Sequence, residues 1–246
     1  MSPLAPAELD AGATPEIVLR WTYETFSRVV IVASFQAESS VLIDMASRTR
    51  KDVSVLTLDT GRLPQQTYDM IDRVRDRYGI EVQVVSPDAT DLQEMVGTHG
   101  ANLFYKSADL RRLCCDVRKS RPLARALHGY DAWVTGLRRQ QAETRSQTAA
   151  VSADPEHEGL TKVAPLAGWS KDQVWAYIRD HELPYHSLYD LGYTSIGCAP
   201  CTRATTAGEE ERAGRWWWEQ NEVKECGLHW TPDNRPLQTT KGSKNE

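Results

Sequence analysis

Five cysteines carry the most specific chemistry in this 246-residue sequence. Cys114 and Cys115 are adjacent, Cys198 and Cys201 form a C-x-x-C pair, and Cys226 stands by itself. An odd set in a chain too large to need disulfide stapling points to metal or redox chemistry rather than structural bridges. Four thiols in two tight pairs make a ligand set, and four thiolates suit zinc or an iron–sulfur cluster. Scattered core cysteines are the bland alternative, and they do not account for the pairing. An adjacent pair sits awkwardly in a compact zinc knuckle, which prefers a spacer of about two to four residues, so the pattern favours the cluster. On a helix, Cys114 lies one turn from Arg118 and Cys115 one turn from Lys119, which sets cations beside the thiolates. Cys226 lies in the polar segment VKECGLH, between Lys224 and His229. Cationic neighbours favour its thiolate.

Three loops offer places for an anion. VVIVAS (Val29–Ser34) reads as a buried parallel strand, and FQAESS follows it before the apolar VLIDMA. Ser34, Phe35, Gln36, Glu38, Ser39 and Ser40 thus fall between a strand and a helix start. Backbone N–H groups and hydroxyls there can cradle phosphate or sulfate, although a serine-rich helix cap has the same composition. With no glycine and no G-K-S/T, the loop is not a Walker loop. The second strand ends in LDTGR, where Asp59 either faces a ribose hydroxyl or caps the turn. WVTGLRRQQAETR follows a further strand and adds Arg138, Arg139 and Arg145 to the same edge. That clustering suits a polyanionic small ligand; a solvated arginine-rich loop is the other reading.

These residues need a scaffold, and strand–helix alternation supplies it. Strands are expected at 29–34, 53–58, 80–85 and 132–135. Helices are expected at 17–26, 41–48, 64–78, 111–127 (ended or kinked by Pro122) and 173–181, the last capped by Ser170. The expectation is an α/β fold: a doubly wound, mainly parallel sheet with helices on both faces, binding ligands beyond the carboxyl ends of its strands. Residues 1–28 form an N-terminal extension, loose over 1–15, 29–191 the nucleotide-binding domain, and 192–246 a tail wrapped on it. Trp216, Trp217 and Trp218 cannot share one helix face; they read as aromatic anchors of the tail, with adenine stacking as the alternative.

Composition narrows the function classes. Hydrophobic residues make up 40% and charged residues 26%, enough for a core. The net charge of −5 provides no global field for nucleic acid or acidic membranes. No apolar run approaches membrane-spanning length, and MSPLAPAELDAGATPE lacks a basic start and an apolar signal core, so a cytoplasmic location is expected.

The motifs SFQAESS, LDTGR, CCxxRK, WVTGLRRQ, SIGCxPCTR, RxGRWWWE and KECGLH together resemble the assimilatory adenylyl-sulfate reductases, the iron–sulfur branch of the wider reductase family, over about Val29 to His229. The resemblance implies an adenine-nucleotide α-hydrolase-like fold, a homo-oligomer, and reduction of adenosine 5′-phosphosulfate to sulfite and AMP. Thioredoxin, or a glutaredoxin-like donor, would be the partner. It implies Cys114, Cys115, Cys198 and Cys201 as ligands of a [4Fe–4S] cluster, Cys226 as nucleophile, and Lys119 between cluster and substrate. The FQAESS loop with Asp59, Arg118, Arg145, Arg212 and Arg215 would contact the nucleotide. Related phosphoadenylyl-sulfate reductases keep the nucleophile but usually lack the two cysteine pairs, so the unphosphorylated substrate is favoured. A reductase of the 3′-phosphorylated nucleotide or of both, and a non-catalytic iron–sulfur or zinc regulator, are the competing readings.

Overall fold

Residue alternation along four short strands builds two cores. β1 (Val29–Val32), β2 (Val55–Leu58), β3 (Val82–Val85) and β4 (Ala132–Val134) are joined by β5 (Val151–Ala153) and β6 (Thr161–Val163) in one sheet of order β3-β2-β1-β4-β6-β5. Every neighbouring pair is parallel except β5 with β6, which is antiparallel. Ile31 pairs with Val55 on one side and Val134 on the other, and all three point to the same face. Val30, Leu56 and Trp133 point to the opposite face. Both faces are apolar because both are covered, as a parallel sheet requires. This computed structural model describes residues 7–10, 12–154, 156–157, 159–219 and 225.

Helices α1 (Ala7–Asp10), α2 (Pro15–Thr25), α3 (Ala37–Thr49), α4 (Gln65–Tyr78) and α5 (Ala89–His99) precede α6 (Ala108–Cys115), α7 (Arg121–Leu127) and α8 (Lys171–Asp180). Val18 and Leu19 of α2, Val41 and Leu42 of α3, Met70 and Val74 of α4, and Val174 and Ile178 of α8 fill the Ile31 face. Leu123 and Leu127 of α7 cover the Val30 face. The doubly wound, mainly parallel architecture expected from the sequence is the one observed. Within the N-terminal extension, α2 is an integral layer of the larger core, and the α1 residue Asp10 accepts the Ala150 N–H at 2.6 Å. Ser170 caps α8 in a capping box with Gln173.

Two expectations need correction. Strands β5 and β6 and helix α5 are absent from the sequence reading. The single helix over 111–127 is in fact three pieces: α6, a π-helical turn over Asp116–Ser120, and α7. Pro122 has no N–H to donate to the Arg118 carbonyl, so an unbroken α-register cannot pass it. The chain instead closes a wider turn, in which the Arg121 N–H bonds to the Asp116 carbonyl, and Pro122 enters the first turn of α7. The i,i+4 alignment of Cys114 with Arg118 and of Cys115 with Lys119 is therefore replaced by a π spacing.

Candidate active site and cysteine cavity

The sheet order reverses between β1 and β4, and the loops leaving those two strands flank a cleft at their carboxyl ends. Its open volume is about 1020 Å³. Ser34, Gln36, Glu38 and Ser39 line it from the β1 loop, Thr135, Gly136 and Leu137 from the β4 loop, and Lys119, Arg145, Arg212 and Arg215 from elsewhere. The β1 loop is held from within. Ser39 Oγ accepts the Ser34 N–H at 3.1 Å, Gln36 donates to Ser34 Oγ at 3.2 Å, and Gln36 Oε1 accepts the Ile196 N–H at 2.7 Å. Gln36 is the N-cap of α3 but offers its helix no side-chain cap bond; the Ala37 N–H donates to the Tyr189 hydroxyl at 3.1 Å, and the positive end of the helix dipole lies at the cleft. Gly136 is required here, because a Cβ would fall 2.7 Å from Glu38 Cβ.

Four residues named from the sequence do not reach this cleft. Phe35 is fully buried in the larger core; its φ of 56° turns its ring inward while its neighbours face the cleft. Ser40 is buried in α3. Asp59 accepts the Gly61 N–H and the Tyr68 hydroxyl, both at 2.8 Å, which is the turn-capping role. Arg118 is buried, donates to the Thr60 carbonyl at 2.6 Å, and lines a different cavity. Arg138 also differs from its expected place at an exposed cationic edge. It is 1% exposed and pairs with Glu38 at 2.8 Å and Glu211 at 2.8 Å. Burial opposes its charge, but the two carboxylates outweigh that and raise its pKa; burial in turn pushes Glu211 upward. The pair leaves Glu38 neutralised inside a cleft that is otherwise cationic.

The second cavity lies beside the first and is lined by all four paired cysteines. Cys114 and Cys115 come from the end of α6, and Cys198 and Cys201 from the loop over 192–203, whose Ala199 N–H bonds to the Arg62 carbonyl at 2.8 Å. Met95, Leu103, Phe104, Val117 and Trp216 pack an apolar shell around the thiols. Arg62, Arg111, Arg118 and Lys119 complete the wall. Burial pushes Cys201 up to about 12, with Cys198 adding to the effect and Arg215 and Lys119 opposing it; burial also raises Cys114, against Arg118. Burial thus favours the protonated form of Cys114 and Cys201, and a bound metal is what would hold them as thiolates. Arg118 keeps its buried Nε without a partner among the described residues. A chamber lined by four thiols, with cations in its wall, fits an anionic iron–sulfur group. Among the described residues, no three His, Cys, Asp or Glu side chains converge as the ligands of one metal ion. Lys119 lines both cavities and is the wall between them.

Trp216 is buried under three guanidinium groups, with Arg111 4.6 Å, Arg215 4.7 Å and Arg212 5.9 Å from its ring centre. Trp218 packs on Tyr105 at 4.5 Å, and Trp217 lies 4.8 Å from Trp218. None of the three lines the cleft; Trp216 is buried as an anchor would be, whereas Trp217 is 40% exposed. Two acidic residues escaped the sequence reading. Glu219 binds Arg111 through both oxygens, and the buried Glu225 binds Arg145. Nothing in their spacing marks them, because their partners lie far away in sequence. Cys226 lies outside the described residues.

Residues 28–204 match the phosphoadenosine phosphosulfate reductase domain. The chain belongs to that family. It is 49% identical over 201 residues to the adenosine 5′-phosphosulfate reductase of Allochromatium vinosum, covering 82% of this chain and 78% of that one. It is 45% identical over 208 residues to the enzyme of that name from Burkholderia cepacia, covering 85% and 83%. Among solved structures, the phosphoadenylyl-sulfate reductase of Candida auris, a phosphate complex, superposes with a TM-score of 0.69 at 30% identity over 82% of this chain and all of that one. The FMN adenylyltransferase of Candida glabrata shares the fold alone, with a TM-score of 0.55 at 15% identity over 87% of this chain and 72% of that one. This member of the reductase family is therefore an enzyme, built on a doubly wound, mainly parallel α/β fold. No helix among its described residues is long and apolar enough to cross a membrane.

Proposed function

We propose that the chain reduces adenosine 5′-phosphosulfate to sulfite and AMP in cytoplasmic sulfate assimilation, with a thioredoxin-type dithiol as reductant. The observation that carries this reading is the shared wall. A cationic cleft at a helix start abuts a four-thiol chamber, and Lys119 lines both. The relatives named above support the substrate.

In this reading the cleft takes the phosphosulfate, with the β1 loop on one side and Lys119, Arg145, Arg212 and Arg215 on the other. The Cys226 thiolate attacks the sulfur; the S–O bond to phosphate breaks, its electron pair leaves with AMP, and Cys226 carries a sulfo group. Lys119 and the arginines stabilise charge as it builds on the departing phosphate. A thiolate of the donor then attacks Cys226 Sγ, sulfite leaves with the S–S electron pair, and the donor's second thiol resolves the mixed disulfide. Cys114, Cys115, Cys198 and Cys201 would hold a [4Fe–4S] cluster, which supplies a compact anionic centre beside Lys119 while the donor thiols supply both electrons.

The test is single turnover without reductant. Wild-type enzyme should release AMP and gain a sulfo group on the Cys226 peptide, which reduced thioredoxin then discharges as sulfite. Cys226→Ser should do neither while keeping about four irons and four acid-labile sulfides. A sulfo group on another cysteine overturns the mechanism, and stoichiometric zinc with full activity overturns the cluster. The Candida auris relative favours a second reading, the 3′-phosphorylated nucleotide as substrate. Comparing kcat/KM for the two nucleotides decides between them.

A further inference from the structure

Glu225 is only 2% exposed, and its carboxylate is gripped from three sides. Arg145 donates through Nε and Nη2, each at 2.8 Å, to its two oxygens. Thr144 Oγ1 donates to the first at 2.9 Å, and Arg212 Nη2 approaches the second at 3.4 Å. The main chain of the same residue is held as well, since Arg111 Nη1 donates to the Glu225 carbonyl at 2.9 Å. Arg111 also binds Glu219 with Nε and Nη2, stacks on Trp216 and lines the cysteine chamber. One residue is thus tied to both cavities: by its side chain to two arginines of the cleft, and by its carbonyl to the wall of the chamber.

Burying a carboxylate is costly unless it is paired and hydrogen-bonded, and a two-point guanidinium fork fixes direction as well as distance. Such an anchor is stronger than a chain segment needs merely to lie on a surface. Its neighbour in sequence is Cys226, one peptide bond away. Resting on the function proposed above, we propose that Glu225 is a positioning residue for Cys226: the Arg145–Glu225 fork and the Arg111–carbonyl bond set where the reactive segment begins relative to the anion cleft. Arg145 also belongs to the cleft lining, where its Nη1 donates to Gln141 Oε1 at 2.6 Å. The nucleophile and the anion are thereby referred to one guanidinium.

Glu225→Gln keeps the size of the side chain and removes the charge that Arg145 grips. Its AMP affinity should hold or tighten, because no competing carboxylate remains, and its iron content should match wild type. The rate of sulfo transfer to Cys226 in single turnover should fall by roughly 10²-fold, as expected for a misplaced reacting group. Glu225→Asp, with the charge retained on a shorter arm, should recover part of that rate. Independently of the reaction, Cys226 should be alkylated by iodoacetamide several-fold faster in Glu225→Gln, followed on its own peptide. An unchanged transfer rate with an unchanged alkylation rate overturns the proposal, as does a loss of AMP affinity that matches the loss of rate. If wild type releases no AMP from adenosine 5′-phosphosulfate but the alkylation difference persists, the function reading fails and the positioning role stands.

Discussion

The Arg215 guanidinium rests directly on the Gly197 backbone, so that a Cβ at Gly197 would fall 2.6 Å from Arg215 Cζ. The glycine beside Cys198 therefore fixes where a cleft cation lies. The hydrogen bonds of Arg215 are long, 3.4 Å to Ser195 Oγ and 3.3 Å to the Ile196 carbonyl, so the Gly197 backbone and the Trp216 ring, 4.7 Å away, do much to place it. Gly197→Ala should push Arg215 out of position and weaken AMP binding by about 1.5–3 kcal/mol, the worth of a hydrogen bond to a charged group. Titration calorimetry with AMP checks this, and wild-type affinity in the variant would show that Arg215 does not meet the nucleotide.

Lys119→Ala tests the wall between the cavities. Removing the ammonium should weaken substrate binding and turnover together by about 2–5 kcal/mol, the usual cost of losing one side of a buried charge contact. The four cysteines keep their places on α6 and the 192–203 loop, so iron and sulfide content should be unchanged. Steady-state kinetics alongside metal analysis separates the two effects. Unchanged kinetics would reduce Lys119 to surface charge.

His186 sets a limit on acid stability. Its ring is buried, Nδ1 accepts the Leu188 N–H at 3.3 Å, and Nε2 lies 3.0 Å from Thr67 Oγ1, an arrangement suited to the neutral ring. Burial pushes its pKa down to about 4, with Asp69 opposing. The unfolded chain then binds the proton first, so stability should fall as pH drops from about 6.5 towards 4 and flatten below that, by roughly 2–3 kcal/mol in all. Urea unfolding across that range measures it. His186→Gln should remove most of this slope, and a slope that survives the substitution would assign it to other groups.

The central parallel strands β1 and β2 announced themselves because they are largely buried on both faces and read as almost wholly apolar runs, VVIV and VLTL. β5 and β6 did not, since VSA and TKV are three residues long and polar at one or two positions each: β5 is the edge strand, and β6 sets Lys162 over the Trp133 ring. The cysteine pairs pointed to one another through ligand chemistry, and the two pairs do line one chamber. Charge was harder to read. Arg138 looks from the sequence like its neighbours Arg139 and Arg145, yet only the fold reveals that Glu38 and Glu211 close on it. Asp59 and Phe35 illustrate a second limit: lying in a ligand-bearing loop does not decide which way a side chain turns.

The π-helical turn between Asp116 and Ser120 amounts to one residue more than an α-helix would spend on the same advance. Length, as well as residue type, is thus a requirement of this stretch. Excising a single residue between Cys115 and Lys119 would swing Lys119 around the axis by about 100° relative to the cysteine pair. All four thiols and the lysine would survive in the sequence, yet the ammonium would no longer divide the two chambers. Among relatives, spacing between the cysteine pair and this lysine would then report on its role more faithfully than the identity of either.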